Sequence, residues 1–413
     1  MTSDALRINF DRLQQDLEHL ASIGRREDHG IYRMAFSDGD MAAREWLRGR
    51  IEEAGLEYHQ DGAANIFARL GWDGSHASVM TGSHMDSVPG AGHLDGALGV
   101  LVSLECLRRI KELDLPLGRP LEAVAFTDEE GRFGGMFGSQ AVSGRLTPES
   151  IYTARDLDGV TLTEAMQARG LNAMDALRAR RTANSIHAFL ELHIEQGPVL
   201  DRNHIGIGAV DAIAGLFRWQ ACFLGAANHA GTTPMDMRND AFQGLAEAAG
   251  EIPRILEEDG SARSVATIGR VELSPGAANV VPGRADFSLE VRDTDPSVLD
   301  HLSQAFRKSL SAIARRRGLM FEFQVVSELA PVKCDPGIVE AVGAAARDLG
   351  AESLVMASGA AHDTQMMAGL TRAGMIFVPS KDGRSHSPAE WTPWEDIELG
   401  ANVALNTLYR LAG

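Results

Sequence analysis

Thr81-Gly82-Ser83-His84-Met85-Asp86, followed by Gly92-His93-Leu94-Asp95-Gly96, decides how the rest of the chain is read. The run Ala77 to Thr81 predicts a strand ending at His84, and a Gly-rich loop then carries Asp95 to a helix starting near Gly96. A His followed by an Asp at this spacing is a donor pair for a hard or borderline divalent cation. Asp86 could hold the other ring N–H of His84 and fix its tautomer. The same residues also suit turns and helix caps, so the balance rests on what lies further along.

Working outward, helices are predicted over Asn9 to Ala21, Asp40 to Glu53 and Ala97 to Lys111, and strands around Ile66 to Ala68 and Leu121 to Thr127. That last strand runs into Asp128-Glu129-Glu130-Gly131. A helical section covers Thr147 to Ala183, with Thr161 and Glu164 at capping-box spacing. The strand Ala188 to Leu192 leads into His193-Ile194-Glu195-Gln196-Gly197. After Glu328 come a helix at Pro336 to Asp348, a loop at Ala357 to Gln365, a strand at Gly374 to Val378, Ser385-His386-Ser387, and a helix from Trp394 to Leu411. Strands alternating with helices predict an α/β domain with a mostly parallel sheet.

Between these parts, from about Ala212, the order is strand (Leu216–Gly225), helix (Arg238–Glu257), strands (Ser264–Leu273 and Ala285–Arg292), helix (Ser297–Arg317) and strand (Met320–Val326). That β-α-β-β-α-β order predicts a ferredoxin-like α+β domain at 213–328, inserted in a catalytic domain formed by 1–212 and 329–413.

A chain of 413 residues is too long for one ordinary core, and 44% hydrophobic with 23% charged residues is a globular composition. The net charge of −18 disfavours nucleic acid and anionic membrane as partners. Three separated cysteines in apolar contexts read as reduced core residues. Met1 to Leu20 carries an amphipathic pattern instead of a signal core, and no apolar run reaches membrane-spanning length. Together these point to the cytoplasm.

His84, Glu130, His193 and His386 each follow the carboxyl end of a predicted strand, the edge at which open α/β sheets bind ligands. With Asp95 they make five donors, too many for one catalytic ion with an open position. Two ions roughly 3.5–4 Å apart, bridged by a carboxylate and a water, would use all five. Asp95, short and in a Gly-rich turn, is the best bridge. Glu129 then sits beside a ligand without being one, and can take a proton from the water and return it to a leaving nitrogen. Taken singly, each residue has a plainer reading: a histidine after a strand is usually a loop residue and paired acids usually face solvent. His93, His187, His204 and His301 keep that reading. Asp363, beside His362, is a possible supporting residue.

The chain also resembles the amidase/hydantoinase/carbamoylase branch of the dinuclear, aminoacylase-like metallopeptidases. The motifs that carry this are those around His84, Asp95, Glu130 and His193, then His229-Ala230-Gly231-Thr232-Thr233-Pro234-Met235 and Asn279-Val280-Val281-Pro282-Gly283. Arg292-Asp293, Ser358-Gly359-Ala360-Ala361-His362-Asp363 and Ser385-His386-Ser387 complete them. The resemblance implies His84, Asp95, Glu130, His193 and His386 as ligands of two divalent ions (Zn, or Mn, Co or Ni), with Glu129 as catalytic base. It implies Gln196, His229, Asn279, Arg292 and Gly359 as contacts to a small carboxylate substrate. One departure is visible: Glu130-Gly131-Arg132-Phe133 lacks a residue that many members carry between that Gly and Arg, which bears on the pocket wall.

In a β-α-β-β-α-β sandwich, His229 and Asn279 fall at one edge of the sheet and Arg292 at the opposite edge. A homodimer resolves this, with Arg292 serving its own subunit while His229 and Asn279 donate to the oxyanion in the partner's site. The inserted domain would act as a lid. The expected activity is hydrolysis of a linear amide or ureido C–N bond, foremost that of an N-carbamoyl-L-amino acid. Allantoate or β-ureidopropionate comes next, then aminoacylase or dipeptidase substrates. A metal-free binding protein that kept the fold is the remaining alternative.

Overall fold

The computed structural model describes residues 5–413, so the first four residues of the N-terminal reading lie outside it. The chain divides into two units. One holds the residues up to Asp211, Cys334–Met356 and His362–Gly413; the other holds Ala212–Lys333 and Ala357–Ala361.

The first unit begins with strands β1 (Glu57–Gln60), β2 (Ile66–Leu70), β3 (Ser78–His84), β4 (Leu121–Phe126), β5 (Ile186–Ile194) and β6 (Ile207–Ile213). The second unit contributes β7 (Gly215–Leu224), β8 (Asn228–His229), β9 (Val265–Thr267), β10 (Val271–Ser274), β11 (Val280–Val281), β12 (Arg284–Asp293), β13 (Met320–Leu329) and β14 (Val332–Lys333). The chain then adds β15 (Ser353–Ser358) and β16 (Arg372–Val378).

The main sheet has the order β1-β2-β4-β3-β5-β16-β6-β14, with β15 beside β6. Its centre, β4-β3-β5-β16, is parallel, and its flanks are antiparallel. Every residue of β3 and β4 is buried, as expected of parallel strands covered on both faces. The helices Ala97–Glu112 and Trp394–Ala412 pack on one face around Leu98, Leu101, Leu190 and Val403. On the other face Phe126, Val142, Phe189 and Met367 form a second cluster. The parallel registers align His84 with Phe126 and Ile194 with Val378, so four chain segments leave the sheet along one edge.

In the second unit β10, β12, β7 and β13 form an antiparallel sheet in that order, with β9 also on β12, backed by the helices Ala241–Asp259 and Pro296–Arg317. Asp240 and Asp295 cap those helices through N–H groups of their first turns, and Gly318 ends the second in the left-handed region. The single strand expected at Ser264–Leu273 is broken into β9 and β10. Ser288 supplies the reason: its hydroxyl accepts Arg270 N–H at 3.1 Å, taking the place of a ladder carbonyl. Segment 357–361 belongs to this unit, although the expected insertion did not include it. Ser358 O accepts Ala214 N–H at 2.9 Å, and the Arg292 guanidinium donates to Gly359 O.

Candidate metal centre

His84 ends β3, Asp95 precedes the helix Ala97–Glu112, Glu129 and Glu130 follow β4, His193 lies near the end of β5 and His386 lies beyond β16. Among the described residues, three groups place ligand atoms within 4.8 Å of one another: His84/Asp95/His193, Asp95/Glu130/His386 and Glu191/His193/His362. Asp95 joins the first two through different oxygens. Its Oδ1 lies 3.1 Å from His193 Nε2 and 3.6 Å from His84 Nε2, while its Oδ2 lies 3.3 Å from His386 Nε2. Glu130 Oε1 is 3.5 Å from His386 Nε2, and Glu129 Oε2 is 3.6 Å from His84 Nε2.

Backbone carbonyls settle two ring tautomers. His84 Nδ1 faces Asp86 O at 3.0 Å and His193 Nδ1 faces Ile194 O at 2.9 Å, so each ring donates there and leaves Nε2 as the atom facing Asp95. The Asp86 side chain was expected to do this for His84; its backbone does so instead. The Asp86 carboxylate accepts the N–H groups of Glu129 at 3.2 Å and Glu130 at 3.1 Å, fixing the acidic pair. In the third group Glu191 is already engaged, accepting Ser83 Oγ at 2.7 Å and Thr364 N and Oγ1 at 3.0 and 2.6 Å. It ties β3 to the helix Asp363–Met367.

Two supporting residues escaped the sequence reading. Glu390 Oε1 accepts the N–H groups of Leu94 and Asp95 at 2.9 and 3.1 Å, while Oε2 accepts Ser385 Oγ at 3.0 Å. One carboxylate thus fastens the Asp95 loop to the His386 loop. Arg33, fully buried, donates to Met85 O, Leu20 O and Ile23 O, bracing the loop after His84. Gln196, expected at substrate, places its amide nitrogen 2.8 Å from Asp95 Oδ2. Gln196, Asp128 and His386 all have positive φ, near +55°, a costly conformation for non-glycine residues that gathers at functional sites.

Burial, then the neighbouring charge of Asp95, pushes the Glu130 carboxyl up to about 7. Burial holds Glu129 well above the usual carboxylate range; His84 opposes this, and Asp363, Glu130 and Asp86 add to it. The hydrogen bond to Asp95, partly offset by burial, lifts His386 to about 9. Asp363 is buried in the first turn of its helix, and burial followed by the charge of Glu191 raises it to about 8. Several carboxylates therefore crowd one buried spot, and Glu130 Oε1 has no hydrogen-bond partner. Divalent cations fit both observations, relieving the repulsion and using the open oxygen.

The remaining expected residues lie in the second unit. His229 and Asn279 are neighbours there: His229 pairs with Val280, and Asn279 O accepts Ala230 N–H at 2.8 Å. Both are exposed. His229 Nδ1 accepts Gly231 N–H at 3.1 Å, so the neutral ring carries its proton on Nε2 and can donate. Arg292, which meets Gly359, sits at the far end of β12 from Arg284, about 26 Å along the strand at ~3.3 Å per residue.

The chain belongs to peptidase family M20/M25/M40, matching it over residues 80–410. It is an amidohydrolase of that metal-dependent family, acting on C–N bonds, as its motifs implied. It is 38% identical over 411 residues to an N-carbamoyl-L-amino acid amidohydrolase of Geobacillus stearothermophilus, covering 98% of this chain and 99% of that one. It is 34% identical over 400 residues to an allantoate amidohydrolase of Bacillus subtilis strain 168, covering 96% of each. The solved structure of an amidase of the hydantoinase/carbamoylase family from Burkholderia multivorans matches with a TM-score of 0.91 at 35% identity, covering 98% of both chains.

Proposed function

We propose that this protein hydrolyses an N-carbamoyl-L-amino acid to the L-amino acid, ammonia and carbon dioxide. The observation that carries the reading is Asp95, with one oxygen facing His84 and His193 and the other facing His386. His84, Asp95 and His193 would hold one divalent ion, and Asp95, Glu130 and His386 a second, both drawn from Zn, Mn, Co or Ni. Such ions supply Lewis acidity and lower the pKa of a bound water from about 15.7 towards 7.

Glu129 belongs to neither ligand group. It takes the proton of the attacking water and returns it to the leaving nitrogen. Arg292 grips the substrate carboxylate, with Gly359 and Gln196 lining the site. His229 and Asn279 donate to the oxyanion of a partner subunit's site in a homodimer, and the second unit serves as dimerisation surface and lid. Support for the dimer comes from within that unit: His229 and Asn279 sit at one end of its sheet and Arg292 at the other. Three free, buried cysteines suit the reducing cytoplasm, and among the described residues no helix is long and apolar enough to cross a membrane. Neither nucleic acid nor membrane is expected as a partner.

The test is an ammonia-release screen over carbamoyl amino acids, allantoate and β-ureidopropionate, run after chelation and again with each metal restored. Turnover of carbamoyl amino acids only in the restored samples is expected. Equal turnover in the chelated sample would overturn the metal-dependent reading.

A further inference from the structure

Beside the metal centre the first unit contains a cavity of about 870 Å³, reached from Asp86 and Glu130. That volume lies in the ~300–1,000 Å³ range of small-ligand pockets. Its apolar wall includes Phe36, Val88, Val160 and Ala168, and the acids Asp38, Asp156, Asp158 and Glu164 also line it. Gly131 and Arg132 also line it.

Two guanidiniums face this space, and both are already paired. Arg132 donates to Ala35 O at 2.7 Å and to Asp156 Oδ2 at 3.0 Å. Arg169 donates to Phe36 O at 2.9 Å and to Asp38 Oδ1 at 2.7 Å. The cavity therefore offers no unneutralised cation for a second carboxylate, and Asp158 on its lining disfavours one further. Over the apolar part of that wall a second ureido group would lose its hydration without gaining a hydrogen-bond partner.

We infer that this cavity is the subsite for the substrate's side chain, and that it selects bulky apolar side chains such as those of phenylalanine, leucine or methionine. The inference rests on the carbamoyl-amino-acid reading above and sharpens it, since allantoate has no such group. Burial of apolar surface then provides the discrimination, and a pocket that gains methylene contacts separates substrates by roughly 10–200-fold per group.

The test measures kcat/KM of the metal-loaded enzyme on N-carbamoyl-L-phenylalanine, -leucine, -aspartate and -glycine and on allantoate. The phenylalanine and leucine derivatives should exceed carbamoylglycine at least tenfold, with the aspartate derivative below both. Ala168→Trp, which fills the cavity from an exposed position, should cut the phenylalanine-to-glycine ratio at least tenfold. Gln167→Trp, one residue earlier and outside the cavity, should leave that ratio as it was. Val160→Trp, on the exposed loop before the helix Leu162–Gln167, takes over if Ala168→Trp does not fold. A flat profile across side chains, or a ratio unmoved by a filled cavity, would overturn the subsite. Turnover of allantoate with none of carbamoylglycine would overturn the substrate reading beneath it.

Discussion

The surroundings of Asp95 and the His229–Asn279 hairpin are built in opposite ways. Around Asp95 most groups are buried or half-buried and held through the backbone: His84 by Asp86 O, His193 by Ile194 O, and the Glu129–Glu130 pair by Asp86, with His386 the exposed exception. His229 stands exposed on a strand pair two residues long, with Asn279 exposed just before it. Groups that hold cations must be fixed before a cation arrives, because like charges cannot be gathered without a rigid frame. Groups proposed to donate in a partner's site, as His229 and Asn279 are, can stay on the surface until a second copy covers them.

That contrast can be broken most forcefully at its centre. Glu129→Gln should lower kcat about 10³-fold while metal content by plasma mass spectrometry stays at the wild-type level. Loss of metal in this variant would make Glu129 a ligand and erase its separate role. His229→Ala should cost about 10²-fold in kcat, again with metal retained. Co-expression of His229→Ala with Glu129→Ala chains should restore activity in the mixed dimer, and failure to complement would return His229 to its own subunit. Glu390→Gln should act on the frame alone. Metal affinity by competitive titration should weaken about 10–100-fold, with unchanged circular dichroism. The smallest effect is expected outside both regions: Thr161→Ala removes a capping box and should cost about 1 kcal/mol in denaturant unfolding, without touching metal content.

The same contrast marks what the sequence could reveal. The approach of His84, Glu130 and His193 to one another was legible because strand ends bring them to one edge, while Asp95 and His386 reach it through loops that the family motifs pointed to. Thr161 and Glu164 form the expected box because capping is a local rule. Glu390 was hidden because nothing near it names its targets; only the folded chain brings it to Leu94 and Asp95, nearly three hundred residues away. Asp86 was assigned the right neighbour through the wrong atom, since a side chain and its own carbonyl cannot be told apart by spacing. β1, β6, β14 and β15 lie on the flanks of the main sheet, where pairing and not periodicity defines them, and no strand was expected there. The interruption at Ile268 to Arg270 depends on a serine on the neighbouring strand, which no local pattern could signal.

The most direct trial of the arrangement around Asp95 is metal stoichiometry on dialysed protein, wild type beside Asp95→Ala, which removes both oxygens. Two equivalents per wild-type chain are expected, with both lost from the variant because each ion depends on one of the two Asp95 oxygens. A single equivalent in the wild type, or two that survive the substitution, would contradict the shared carboxylate.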